Sequence, residues 1–240
     1  MHDIVTIIFL TATAGLCIPF GAFLASFEHI HTNWLELEFR HFIIALGGGI
    51  LLGAVTFVLV PEGMRIINSA VLSILFILTG GIAFFLIERA MGLRRRESPQ
   101  LMGMLLDYIP EAIALGGLVA TGSSIAPVLA LLIGLQNIPE GFNAYRELIC
   151  IKNCSPRKTL AFMSKLVIIG PVAGLAGFYF LSQQPAILAA IMLFSSGGIL
   201  YLIFQDIAPQ SRLTKHWMPP LGAVLGFCIA LSSKMLITNS

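Results

Sequence analysis

Two heptads, Leu106-Asp107-Tyr108-Ile109-Pro110-Glu111-Ala112 and Leu135-Gln136-Asn137-Ile138-Pro139-Glu140-Gly141, lie 29 residues apart, each inside an apolar run long enough to cross a bilayer. An ionised side chain at that depth is costly unless the protein compensates it, so carboxylates placed there point to a task. Asp107 and Glu111 are four residues apart, as are Gln136 and Glu140, and each pair shares one helical face. Two such helices facing each other present four oxygen-bearing side chains, a cation cage in outline. Pro110 and Pro139 have no N–H, so the carbonyls of Leu106 and Leu135 lose their helical donors. Freed carbonyls at this depth are tolerated where they line a cavity or meet an ion.

The rest of the chain explains what must hold that cage. Of 240 residues, 57% are hydrophobic and only 11% charged, and the mean hydropathy is +0.92. That balance lies far from soluble domains and predicts an integral membrane protein. Long apolar runs without period-two alternation predict helices rather than a barrel. A net charge of +2 with no aromatic and basic interleaving argues against nucleic acid as a partner. Cys17, Cys150, Cys154 and Cys228 lack paired metal-knuckle spacing and are expected to be small packing residues or free thiols. Met1-His2-Asp3 opens directly into apolar sequence without a basic leader, and is expected to begin the first span.

Eight apolar segments are expected at about 4–26, 41–61, 69–89, 101–120, 125–146, 160–181, 185–207 and 217–237. The connections are short, the longest near 90–100, so residues 1–240 are expected to form a single all-α transmembrane domain. Positive residues fall overwhelmingly on the odd-numbered loops and adjacent helix ends: Arg40; Arg89 with Arg94-Arg95-Arg96; Arg146, Lys152, Arg157 and Lys158; Arg212 and Lys215. The even side has Arg65 and Lys234. Positive-inside logic then puts the odd loops in the cytoplasm and both termini outside, in the periplasm of a cell with an inner membrane.

The ends of the chain echo each other. Segment one carries Pro19 and Gly21, and segment six Gly170, Pro171 and Gly174. Segment two reads Gly48-Gly49-Ile50-Leu51 with Val60-Pro61-Glu62 after it, and segment seven reads Gly197-Gly198-Ile199-Leu200 with Ala208-Pro209-Gln210. Three spans repeated must be inverted in the membrane, with the fourth and fifth forming an inverted pair between them. Such 3+2+3 arrangements with proline-broken helices are a signature of secondary transporters.

Over its whole length the chain resembles the ZIP (Zrt-, Irt-like) family of divalent-metal transporters. The family's fourth span typically reads His-Asn-x-Pro-Glu-Gly, here Asp107-Tyr108-Ile109-Pro110-Glu111-Ala112. Its fifth often ends Ile-Pro-Glu-Gly, matched by Gln136-Asn137-Ile138-Pro139-Glu140-Gly141. The resemblance implies Asp107, Glu111, Gln136 and Glu140 as metal ligands, and a second site at the positions of Tyr108, Asn137 and Gly170. With Tyr108 and Gly170 in two of those places, one metal at a time is expected. The resemblance also implies elevator-like movement of spans one, four, five and six, and an exit path at Gln205 and Asp206. Zinc is the first expectation on family grounds. A set of carboxylates and amides is harder than one with histidine and suits manganese, iron(II), magnesium or calcium relatively better. Iron, manganese and cadmium stay open beside zinc as substrates. No prosthetic group is expected, and the expected partners are the metal ion, lipid and, as a homodimer, a second copy of the chain.

Smaller signals surround this core. Asn143 shares the face of Gln136 and Glu140 and is a further candidate ligand. Lys165 either snorkels to the basic surface or stands near Gly170. Glu62 could attract cations at the outer entrance, and His29 and His31 could bind metal on the first loop. Two rival functions stay open. One is a metal-binding member that does not transport. The other, an intramembrane carboxylate enzyme, finds no His-Glu-x-x-His and no nucleophilic serine motif to support it.

Overall fold

A computed structural model describes residues 2–27, 33–93, 99–150, 154–213 and 216–238. All its elements are helical, and no strand occurs among the described residues. The first expected segment is α1 (His2–Ser26). The second is α2 (Asn33–Ala54), a π-helical turn (Val55–Leu59) and α3 (Val60–Ile67). The third, fourth and fifth are α4 (Ala70–Leu93), α5 (Pro99–Ala120) and α6 (Ala126–Cys150). The sixth is broken into α7 (Pro156–Leu166) and α8 (Ile169–Leu181). The seventh is α9 (Pro185–Leu202), a second π-helical turn (Ile203–Ile207) and α10 (Ala208–Ser211), and the eighth is α11 (Leu221–Thr238).

Six stretches are long and apolar enough to cross a membrane, from α1, α2 to α3, α4, α5, α7 to α8, and α9 to α10, while α11 is a shorter apolar helix. α6 is not among them, because Gln136, Asn137, Glu140, Asn143, Arg146 and Glu147 dilute its hydropathy. Its position explains why that is tolerated. Leu129, Leu132, Ile133 and Ala144 of α6 are fully buried, so the helix meets protein rather than lipid. α4 is the reverse: Val71, Ile74, Leu78, Ile82 and Leu86 are exposed, an apolar face that fits hydrocarbon.

Proline accounts for the interruptions. Pro61 and Pro209 cannot donate a helical hydrogen bond, and their rings crowd the carbonyl four residues earlier. Each is preceded by a widened turn in which the Val60 N–H reaches Val55 O and the Ala208 N–H reaches Ile203 O. Pro171 similarly deprives Val167 of its donor, and the break between α7 and α8 falls at residues 167–168. Pro19, Pro110 and Pro139 instead lie inside continuous helices.

Glycine sorts the helices into two groups. A Cβ on Gly21 would run into the Ile138 carbonyl and one on Gly141 into that of Ile18, so α1 and α6 touch backbone to backbone. Gly116 and Gly177 do the same for α5 and α8, Gly80 and Gly197 for α4 and α9, and Gly49 and Gly222 for α2 and α11. Between the resulting groups, α1 with α5 to α8 and α2 to α4 with α9 to α11, the approaches are by side chain. Examples are Pro139 against Gly47 and Leu188 against Gly117. Gly116→Ala is expected to force α5 and α8 apart at a cost of about 1–3 kcal/mol, read as a lower thermal midpoint in detergent. An unchanged midpoint would contradict that backbone contact.

Candidate cation site between α5 and α6

α5 and α6 bring Asp107, Glu111, Gln136 and Glu140 together. Asp107 is 2% exposed, and Glu111 and Gln136 are fully buried. The Gln136 Nε2 donates to Glu111 Oε2 at 2.5 Å, while Asp107 and Glu140 line one cavity. The four residues therefore form two adjoining pairs, one per turn of helix, along the facing surfaces of α5 and α6.

Seven buried side-chain oxygens in this region have no hydrogen-bond donor: Asp107 Oδ1, Glu111 Oε1, Gln136 Oε1, Asn137 Oδ1, both Glu140 oxygens and Asn143 Oδ1. Buried polar atoms in proteins are almost always satisfied, so a cluster composed only of acceptors marks a place for something positive. No lysine, arginine or histidine among the described residues forms a salt bridge with Asp107, Glu111 or Glu140. Nor do three His, Cys, Asp or Glu side chains among the described residues already converge as a closed coordination shell.

The other expected ligands divide. Asn143, 3% exposed, joins Asp107 and Glu140 in lining a cavity of about 30 Å³, enough for a water or a small ion. Its lining also includes Met104, Gly103 and Gln100 of α5, Gly47 and Gly48 of α2, and Asp206. Asp206 thus opens onto the same space as the carboxylates. Gln205 is exposed and does not line it. Asn137 is turned toward α1, where its Nδ2 donates to the Ala14 carbonyl at 2.9 Å.

Tyr108 also turns to α1. Its hydroxyl is 3.4 Å from the Thr11 carbonyl it faces, and a Cβ on Gly170 would collide with that hydroxyl. The space beside Gly170 is therefore filled by the tyrosine. Lys165 is exposed on α7, which accords with snorkelling. Glu62 is held by Arg65 in a two-pronged contact at 2.7 and 3.0 Å. His29, His31 and Arg94 to Arg96 lie outside the described residues.

Sequence reasoning passed over Glu147. It is 3% exposed and its Oε2 accepts from the backbone N–H groups of Gln100 at 3.1 Å and Leu101 at 3.4 Å, capping the start of the helix that carries Asp107 and Glu111. Its signal was available: Gln136, Glu140, Asn143 and Glu147 continue one face at spacings of four, three and four. No protein-family model matches the chain, and no curated protein matches it.

Proposed function

We propose that the chain is a transporter of a divalent metal cation, similar in kind to the ZIP family, in which the ion passes between α5 and α6. The observation that carries this reading is the cluster of seven buried oxygens without donors, three of its residues being carboxylates with no basic partner among the described residues. A doubly charged ion is the species that makes such a cluster affordable inside a membrane. Asp107 and Glu140 would hold the ion from the cavity side, Glu111 and the Gln136 amide from the other, and Asn143 would complete its shell. Asp206, on the same cavity, gives the ion its next oxygen on leaving. Asn137, its amide nitrogen already engaged with α1, has only its oxygen to offer.

The inverted 3+2+3 reading gains support from the helix pairing. Exchanging the first three spans with the last three, and the fourth with the fifth, turns the α1–α6 contact into α8–α5 and the α2–α11 contact into α9–α4. The two π-helical turns before Pro61 and Pro209 exchange as well. On this reading there are eight spans in one domain, the termini face the periplasm and the cavity lies on the cytoplasmic side of an inner-membrane protein. Movement is inward, driven by the ion gradient and the membrane potential, about 2.3 kcal/mol per charge per 100 mV.

The donor set is all oxygen apart from the Met104 thioether on the cavity wall, which suits manganese and iron(II) at least as well as zinc. The purified chain in proteoliposomes with an imposed potential is expected to take up at least one of zinc, manganese, iron(II) and cadmium saturably. The absence of a closed three-ligand group among the described residues favours one second reading, a protein that binds metal without moving it. Tight binding of any of the four ions with no uptake of any would select that reading and overturn transport.

A further inference from the structure

The two glycine-locked groups of helices are joined across their interface by hydrogen bonds at opposite ends. At the basic end the Gln100 side-chain amide, at the start of α5, donates to Gln210 Oε1 on α10. At the other end Ser123, in the turn between α5 and α6, donates through its Oγ to Glu62 Oε1 on α3 at 3.4 Å.

Glu62 and Gln210 hold equivalent places. Each directly follows the proline of a Val-Pro or Ala-Pro step, and each of those prolines follows a π-helical turn, Val55–Leu59 or Ile203–Ile207. The two halves of the chain thus present the same device to the two ends of the α5–α6 pair. We propose that Gln210 with Gln100, and Glu62 with Ser123, are the inner and outer latches that hold the site-bearing group against the other, and that each is released when the site faces its own side.

Three features of the structure give this direction. Gln100, seven residues before Asp107 on α5, lines the same cavity as Asp107 and Glu140, so its bond to Gln210 ties that wall to α10. Glu147 pins the backbone of Gln100 and Leu101 to α6, so an opening of the Gln210 contact moves α5 and α6 together rather than fraying α5 alone. The turn that precedes Gln210 contains Asp206 and Ile207, both on the cavity wall, so a latch at its end is mechanically continuous with the path. Widened turns of this kind carry weakened helical hydrogen bonding and are places where a helix changes direction at low cost.

The inference rests on the transport reading, but its test does not require an ion. Gly103 lines the cavity between the carboxylates and Gln100, and a Cβ there meets nothing within 4 Å, so Gly103→Cys is tolerated as a reporter. With the four native cysteines replaced by alanine, the full chain in lipid nanodiscs is treated with a water-soluble maleimide and the labelling rate at position 103 is measured. Gln210→Ala is expected to raise that rate about five-fold, the effect of losing one net hydrogen bond from one of two states. Gln210→Glu keeps an acceptor for Gln100 and is expected to leave the rate near its starting value.

Glu62→Ala is the discriminating variant. If the latches alternate, loosening the outer one draws the population toward the outward state and lowers labelling at position 103 by a similar factor. Equal rates in Gln210→Ala and its parent, or a rise in labelling with Glu62→Ala, would overturn the proposal, because both contacts would then be ordinary packing. A latch effect without ion uptake would leave the proposal standing and refute the transport reading alone.

Discussion

Glu140→Gln and Glu111→Gln are each expected to lower metal uptake about a hundred-fold or more while making the ion-free protein more stable, and the opposite signs are the point of the experiment. Glutamine keeps the volume and one oxygen of glutamate, so the packing of α5 against α6 is undisturbed. At Glu140 it also supplies an N–H₂ group on the cavity that Asp107 lines, where the native carboxylates offer no donor. Removing one of three neighbouring carboxylates relieves like-charge crowding that burial makes severe. A gain of about 1 kcal/mol or more in the absence of metal follows, visible as a higher thermal midpoint. The same change removes a charged ligand, a loss larger than the ten- to hundred-fold effect of disturbing a metal's outer shell. Metal-dependent stabilisation, which scales with the logarithm of ligand concentration over Kd, should disappear with the uptake. The double variant Glu111→Ala with Glu140→Ala should abolish flux and leave the helices assembled. Uptake within about two-fold of the unmodified chain in all three proteins would show that the ion takes another route.

The fold could be read from the sequence because membrane helices announce themselves by length and apolarity. Each of the eight expected segments contains helix, though the sixth is broken at residues 167–168 and the eighth begins only at Leu221 rather than 217; α6 is among them, although its polar face dilutes its apolar signal. That helix was legible for a different reason: its Pro-Glu heptad copies the one in α5. Boundaries were less legible. α2 begins at Asn33 and its span continues through α3 to Ile67, beyond the expected 41–61, since polar helix ends project past the hydrocarbon without an apolar signal. The π-helical turns depend on how Pro61 and Pro209 are accommodated by packing, which no local rule specifies. The i,i+4 spacing did foretell that Asp107, Glu111, Gln136 and Glu140 share facing surfaces, because helical periodicity is a property of the backbone. It could not foretell the rotamers that turn Asn137 and Tyr108 to α1, nor that Gln205 points away from a cavity its neighbour Asp206 lines. Those outcomes are set by contacts between segments distant in the chain.

Gly15→Ala is expected to destabilise the protein by about 2 kcal/mol or more, and Tyr108→Phe to recover a large part of that loss. Tyr108 is fully buried, and its hydroxyl occupies a pocket walled by α1 and α8. A Cβ on Gly15 would stand 2.6 Å from that hydroxyl and 3.2 Å from the Val167 carbonyl. Overpacking a filled interior costs about 1–3 kcal/mol, and here one neighbour is backbone at the break between α7 and α8, which gives way less readily than a side chain. Deleting the hydroxyl removes the nearer obstacle and forgoes only a 3.4 Å hydrogen bond, a weak one, so Tyr108→Phe alone should change stability little. The double variant is therefore more stable than the sum of the single changes requires, with a coupling of about 1–2 kcal/mol in thermal or denaturant unfolding. Gly170→Ala should be worse than Gly15→Ala and less fully rescued, since its Cβ would also meet the Thr11 carbonyl at 2.8 Å whatever stands at position 108. Strict additivity across the four proteins of the Gly15 cycle would mean that the tyrosine does not fill this space. Coupling of the expected sign would mean that the small residue at 15 and the large one at 108 are a single packing adaptation.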